Sequence, residues 1–256
     1  MDDDNRIARG WDAAAEGYDA YYVPRFAPWV ADAVRAVTGA GLPDGPVLVP
    51  CCGTFPELPA LVEHLPDREI TGIDLSEGMV RIAQANAAAY PRVTVVHGDA
   101  ATLDTRWTAT CAAVVSVFGF QQLPDPAHAL RSWTAALTPG GLMSVVFWPG
   151  RAETEGPFAL MSELLGRAPD RGWEDGLTDG LDVVRDEEVA HPITHPDAAT
   201  CFDAHIHSGP LRPLAEEKGP AFVQRLRDEF LRRAPAGEWT HRPVARHVVV
   251  RAPVSP

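Results

Sequence analysis

From Gly45 to Pro149 the chain alternates between two kinds of segment. Short β-rich apolar runs lie at Val47–Val49, Glu69–Ile73, Val93–His97, Ala112–Phe118 and Leu142–Trp148. Helix-like segments lie between them at Glu57–Leu65, Glu77–Ala89 and Asp125–Leu137. The strand-like runs are nearly continuous in apolar residues. Such strands are covered on both faces, and the interposed helices supply the cover, so the pattern predicts a parallel α/β sheet.

The helices carry start and stop signals. Thr54-Phe55-Pro56-Glu57 reads as a capping box, with proline tolerated in a first turn where its missing N–H has no partner to lose. Ser76 is placed to cap the second helix and Pro91 to end it. Asp125-Pro126 opens the third, residues 129, 130, 133, 136 and 137 give it a helical stripe, and Pro139-Gly140-Gly141 stops it. Outside the alternation, residues 6–37 read as one or two helices broken near Pro24 and Pro28. Pro157–Leu165 reads as a helix, Leu181–Thr194 as an outer strand limited to an edge by Pro192, residues 197–234 as mostly helical, and Val244–Arg251 as a last strand.

In an open parallel sheet, ligands bind beyond the carboxyl ends of the strands. The turn after the first strand, VLVPCCGTFPEL (47–58), lies there, and its backbone N–H groups favour electron-rich ligand atoms. Asp74, about twenty residues past that turn at the end of the second run, is placed to accept hydrogen bonds from two ribose hydroxyls. A dinucleotide also needs room for a pyrophosphate, which three glycines normally provide. Here Gly53 stands alone: Phe55 occupies the third glycine slot, and Pro56 removes an N–H. S-adenosylmethionine carries no phosphate and fits the altered turn better.

Five stretches in order extend this reading: VLVPCCGTF, GIDLSEGMVRIAQANA, VHGDA, SVFGFQQLPDPAHALRSWTAALTPGG and, before them, WDAAAEGYDAYYVPRF. Together, over roughly Asp12 to Trp148, they resemble the class I S-adenosylmethionine-dependent methyltransferases, small-molecule type. The resemblance implies a Rossmann-like, doubly wound, mostly parallel seven-stranded sheet with an antiparallel C-terminal strand and a helical lid. It implies one methyltransferase domain over 1–256, made of an N-terminal helical cap (1–40), a cofactor-binding core (45–150) and a substrate-side lid with closing strands (151–256).

The resemblance also implies roles. Cys51 and Gly53 would line the methionine part of the cofactor and Asp74 would hold the ribose. Leu75 and Met79 would flank the adenine, while Asp99 and the Ala100 N–H would meet its edge. Ser116, Val117 and Phe118 would face the sulfonium end, and Tyr18 and Tyr21 would close over the ligand. The departures are Val49, where the family usually carries an acid, and Cys51 and Phe55, where it carries glycine. Cysteine does not adopt positive φ cheaply, so a weaker or shifted cofactor tail is one expected consequence.

A methyl acceptor that must lose a proton needs a base, and His205 and His207 are the candidates. Cys51, Cys52, Cys111 and Cys201 show no disulfide framework and no zinc-type spacing, so no metal is expected. The net charge of −13 disfavours nucleic acid, and no apolar run reaches membrane-spanning length. The polar, acidic start is no secretory signal. The expectation is a cytoplasmic enzyme that methylates an O or N atom of a small secondary metabolite, with a homodimer left open. The alternative is a cofactor-binding protein with a non-methylating or regulatory role.

Overall fold

In the computed structural model, residues 2–39, 41–150, 153–166, 172–209 and 211–254 are described. The elements in chain order are α1 (Asp2–Tyr21), α2 (Val23–Thr38), β1 (Val47–Pro50), α3 (Leu58–His64), β2 (Ile70–Asp74), α4 (Glu77–Ala87), β3 (Val93–His97), β4 (Cys111–Val117), α5 (Pro126–Ala135) and β5 (Leu137–Phe147). They continue as α6 (Gly156–Leu164), β6 (Asp182–Ala190), β7 (Ile193–His195), α7 (Ala198–His207), α8 (Arg212–Lys218), α9 (Pro220–Arg233), β8 (Trp239–His241) and β9 (Val244–Arg251).

The chain divides into two compact units. A sheet unit comprises Ala27–Pro149, Glu174–Val189 and Ala245–Pro256. A helical unit comprises Met1–Phe26, Gly150–Trp173 and Ala190–Val244.

The sheet has seven strands in the order β3-β2-β1-β4-β5-β9-β6. The pairs β3–β2, β2–β1, β1–β4 and β4–β5 are parallel, and β9 runs antiparallel to β5. Every residue of β1 and β4 is buried, as the continuous apolar runs require of central strands covered on both faces. Register places the functional edge: Asp74, the last residue of β2, pairs with His97, the last of β3. The strand order reverses between β1 and β4, so the turns after these two strands flank the crevice where such sheets bind ligands.

The helical unit builds its core where α6, α7 and α9 meet, around Met161, Cys201, Phe202, Leu226 and Phe230. A two-stranded antiparallel ribbon, β7–β8, belongs to the same unit.

Four local expectations are corrected. The capping box does not form: α3 starts at Leu58 with Glu57 at its N-cap, and no side chain caps it. The left-handed backbone of Phe55, at φ 70°, breaks the helical path that Thr54 would need to serve. Pro139-Gly140-Gly141 lies inside a strand, because β5 already begins at Leu137, opposite Cys111, and the register shifts before Leu142 meets Ala113. Gly141 is needed there, since a Cβ would come within 3.1 Å of three backbone oxygens. The single outer strand at 181–194 is two strands in different sheets, parted at His191-Pro192, where the missing proline N–H ends the ladder. The N-terminal helices part at Tyr22, while Pro24 falls in the first turn of α2 and Pro28 lies inside it.

Candidate functional site

The turn after β1 keeps the backbone of a glycine-rich loop without its glycines. Cys51 lies at φ 55°, Gly53 at φ 53° and Phe55 at φ 70°. The left-handed region costs a non-glycine residue roughly 1–2 kcal/mol, so the fold holds Cys51 and Phe55 there against their preference. A side chain at Gly53 would meet nothing within 4 Å, so the space above it is open. Phe55 does not fill that space. Its ring is buried toward β2, 2.9 Å from where a Cβ on Gly72 would sit.

Asp74 ties this turn to β2. Its Oδ2 accepts from the Gly53 N–H at 2.8 Å, and its Oδ1 accepts from the Ser76 N–H at 2.9 Å. Ser76 caps α4 as expected, its Oγ accepting from the Met79 N–H at 3.2 Å. The bonds to Gly53 and Ser76 hold the carboxylate at the tip of β2, beside the turn. Asp99 follows β3, exposed, with its Oδ1 accepting from the Ala101 N–H at 2.7 Å. The Gly98 N–H donates to the Asp74 carbonyl at 2.9 Å, which brings the stretch ahead of Asp99 to the tip of β2. Ala100 is buried, and its carbonyl accepts from Trp133 Nε1 at 2.7 Å.

The other expected cofactor residues divide by burial. Leu75 is exposed at the crevice edge, whereas Met79 is buried beneath it. Ser116 and Val117 end β4 inside the sheet, and Ser116 Oγ has no hydrogen-bond partner. Phe118 has φ 59° and stacks on Trp148 at 4.1 Å between ring centres, with Trp29 edge-on to both. Thr54 Oγ1 and Glu57 Oε2 are likewise buried and unpartnered. Burial pushes the Cys51 and Cys52 thiols well up, with Asp74 and Glu57 adding to both shifts and Asp99 to that of Cys51. Both cysteines are therefore neutral side chains in an acidic neighbourhood.

This donor set fits a phosphate-free adenosine ligand. Pro56 removes an N–H that a pyrophosphate would use, while the space over Gly53 is open and Thr54, Glu57 and Ser116 keep unpartnered polar atoms around the turn and at the end of β4.

Tyr18 and Tyr21 lie in the helical unit, where the structure assembles a second polar constellation. Tyr21 Oη is hydrogen-bonded to His195 Nδ1 at 2.7 Å, and His195 Nε2 to His241 Nε2 at 3.2 Å. Tyr18 packs among Trp11, Tyr22 and Phe26. Burial, followed by neighbouring histidines, pulls His195 down to about 3 and His241 to about 4, and burial raises the Tyr21 phenol. The chain is thus neutral at ordinary pH, with one proton shared in each hydrogen bond.

The two histidines expected as bases are not brought together. Both sit on α7, two residues apart, so they point to different sides of the helix. His205 is buried and donates from Nδ1 to the Cys201 carbonyl at 2.8 Å, and burial lowers its pKa. His207 is exposed, at a depression of about 420 Å³ shared with Ile206, Arg212 and Val223. Among the described residues no group of three or more His, Cys, Asp or Glu could hold a metal ion.

Sequence reasoning missed the His195–His241 pair and the isolation of Glu57. The first is formed by strands whose partners lie 46 residues apart, with no local pattern to announce it. The second hid behind an apparent capping box.

Comparison with known proteins bears on the sheet unit. Residues 47–141 match the methyltransferase domain family. Over 94 residues, the chain is 35% identical to a demethylmenaquinone methyltransferase of Staphylococcus aureus, an alignment covering 36% of this chain and 39% of that relative. Among solved structures, a methyltransferase candidate from Bacillus halodurans C-125 superposes with a TM-score of 0.60 at 14% identity, over 88% of this chain and 99% of that one. An N-methyltransferase of Haemonchus contortus, in complex with phosphomonomethylethanolamine and S-adenosylhomocysteine, superposes with a TM-score of 0.52 at 13% identity, over 88% and 52%. At these identities the structural likeness is one of fold.

Proposed function

We propose that the protein, whose residues 47–141 match the methyltransferase domain family, is a class I enzyme that transfers a methyl group from S-adenosylmethionine to an oxygen or nitrogen atom of a small-molecule acceptor, a secondary metabolite. The observation that carries the reading is Asp74. It fixes the Gly53 turn at the end of β2, accepting from the Gly53 N–H and from the Ser76 N–H at the start of the next helix. Asp99 and Leu75 stand at the crevice edge for the adenine, and the turn after β4, from Ser116 to Phe118, for the sulfonium end.

When bound, S-adenosylmethionine supplies a methyl group already activated on a sulfonium. The protein's own share is alignment and exclusion of water, which can account for several kcal/mol of barrier reduction, up to ~7–11 in favourable cases. An acceptor that must shed a proton needs a base, and His195 and His241, held down to about 3 and about 4, are too weakly basic to serve at neutral pH. Strong negative charge disfavours nucleic-acid acceptors, and among the described residues no helix is long and apolar enough to cross a membrane.

The non-methylating alternative rests on the lost glycines. Cys51 and Phe55 hold glycine-type dihedrals, which favours cofactor binding under either reading, so the methyl group itself must be followed. Calorimetric titration with S-adenosylmethionine tests the reading, followed by tracing of a labelled methyl group into acceptor pools. Asp74→Ala is expected to weaken cofactor binding by about 2–4 kcal/mol through lost charge-assisted hydrogen bonds. Unchanged affinity in that variant would remove Asp74 from the site, and absence of cofactor binding in the parent protein would end the proposal.

A further inference from the structure

Four residues beyond Gly53 the chain buries an acid that the turn does not use. Glu57 is 1% exposed, and its Oε2 has no hydrogen-bond partner. Its own backbone N–H steadies the charged form, and Asp74, at the tip of β2, opposes it. The other titratable groups acting with it are the neutral thiols of Cys51 and Cys52, with Asp99 reaching Cys51. Among the described residues, no cation is paired with Glu57. An unpaired buried carboxyl oxygen is costly to keep, so its retention beside the cofactor turn calls for a partner that arrives from outside. The partner must be a cation or a strong donor, because Asp74 already makes the surroundings acidic.

The cofactor reading supplies such a partner, and this inference rests on that reading. The acid usual in this family at the end of the first strand is Val49 here, fully buried and apolar. We propose that Glu57 is the anchor for the α-ammonium of S-adenosylmethionine, supplying from the far side of the turn the negative charge that Val49 lacks, and that cofactor binding therefore expels a proton from this carboxyl. The balance is simple. The carboxyl loses one proton to solvent and becomes a carboxylate, while the incoming ammonium keeps its three. Burial pushes the free carboxyl up to about 8, so at pH 6–7 it is protonated before the ligand arrives.

The test is calorimetric titration of the whole protein with S-adenosylhomocysteine, which retains the ammonium. It is run at pH 6.5 in buffers of different ionisation heat, so that the dependence on buffer counts the protons. Close to one proton should be released, and affinity should rise about ninefold from pH 6 to pH 7, then level off above pH 8. Glu57→Gln, an isostere of the protonated acid, should bind with no release and no pH dependence over that range. 5′-Methylthioadenosine, which lacks the amino-acid tail, should bind the parent protein without release. Binding of S-adenosylhomocysteine without proton release, release that persists in Glu57→Gln, or equal release with 5′-methylthioadenosine would each overturn the role of Glu57 and leave the cofactor reading standing. No binding of S-adenosylmethionine or S-adenosylhomocysteine at any pH would overturn the cofactor reading itself, and this inference with it.

Discussion

Cys51 and Gly119 form a pair whose energetics can be taken apart by a double-mutant cycle. Cys51 occupies left-handed backbone at φ 55° after β1. Gly119 follows β4, and a Cβ placed on it would overlap the Cys51 Cβ and come within 3.1 Å of the Cys51 carbonyl oxygen. Gly119→Ala alone therefore overpacks the two turns that flank the crevice, at a cost of about 1–3 kcal/mol. Cys51→Gly alone relieves the backbone by about 1 kcal/mol but gives up the contacts of a half-buried side chain, so its net effect should be small and in the stabilising direction. Combining them removes the Cβ–Cβ overlap and leaves the closer approach to the carbonyl. The double variant should recover about half to two-thirds of the loss, a coupling of about 1–2 kcal/mol.

Urea unfolding followed by circular dichroism reads the stability terms. S-adenosylhomocysteine affinity, measured in parallel, reads the shape of the crevice. Gly119→Ala should weaken binding, and the double variant should restore most of it. Additivity within 0.5 kcal/mol, roughly the error of such cycles, would mean that the two turns do not bear on each other and that Cys51 holds its backbone for some other reason.

Two predictions concern acidity. His195 and His241 titrate in the folded protein at about 3 and 4, below the usual histidine value of 6.5, so the unfolded chain binds more protons between those limits. Their stabilising contribution is present above pH 6.5 and falls as pH drops, by about 2 kcal/mol each at pH 5. The urea midpoint should decline from pH 7 to pH 5, and His241→Gln should flatten that decline by its share; an identical decline in the variant would refute the assignment. Glu57 shifts the other way: its folded value of about 8 lies above the unfolded 4.5, so the stability it offers is present below pH 4.5 and lost as pH rises toward 8. Without ligand, Glu57→Gln should match the parent protein near pH 4.5 and exceed it at pH 8 by up to about 4 kcal/mol. A stability difference independent of pH would show that the carboxyl is not held protonated.

The sheet and the acids at its edge were legible because each depends on short-range pattern. Five apolar runs sufficed to place β1 to β5, and the spacing from Gly53 to Asp74 sufficed to place the carboxylate at the turn. What stayed hidden depends on distant partners. The start of β5 at Leu137 needs Cys111 to pair with it, and no local signal distinguishes a strand containing Pro139-Gly140-Gly141 from a helix stop followed by a strand. His195 owes its place to Tyr21, 174 residues away, and to His241 across the β7–β8 ribbon. Thr54 and Glu57 have capping-box spacing, but the positive φ of Phe55 between them denies the geometry that spacing presumes.

Why the turn survives without its glycines follows from where glycine reappears. The side chain added at Cys51 faces Gly119, and the ring added at Phe55, together with the Cys52 sulfur, faces Gly72, where a Cβ would lie 2.9 Å from either. Each residue that took on bulk at the turn is met by a neighbouring element that has none. The backbone of the loop depends on the volume available around it as well as on its own dihedral preferences, and that volume is conceded by β2 and by the turn after β4. The strain that remains is dihedral, roughly 1–2 kcal/mol at each of two residues, and burial of Phe55 offsets it on a similar scale of about 1.5–3 kcal/mol. In this chain the glycines at 72 and 119, opposite the turn, leave the room that the bulk of Cys51 and Phe55 takes up.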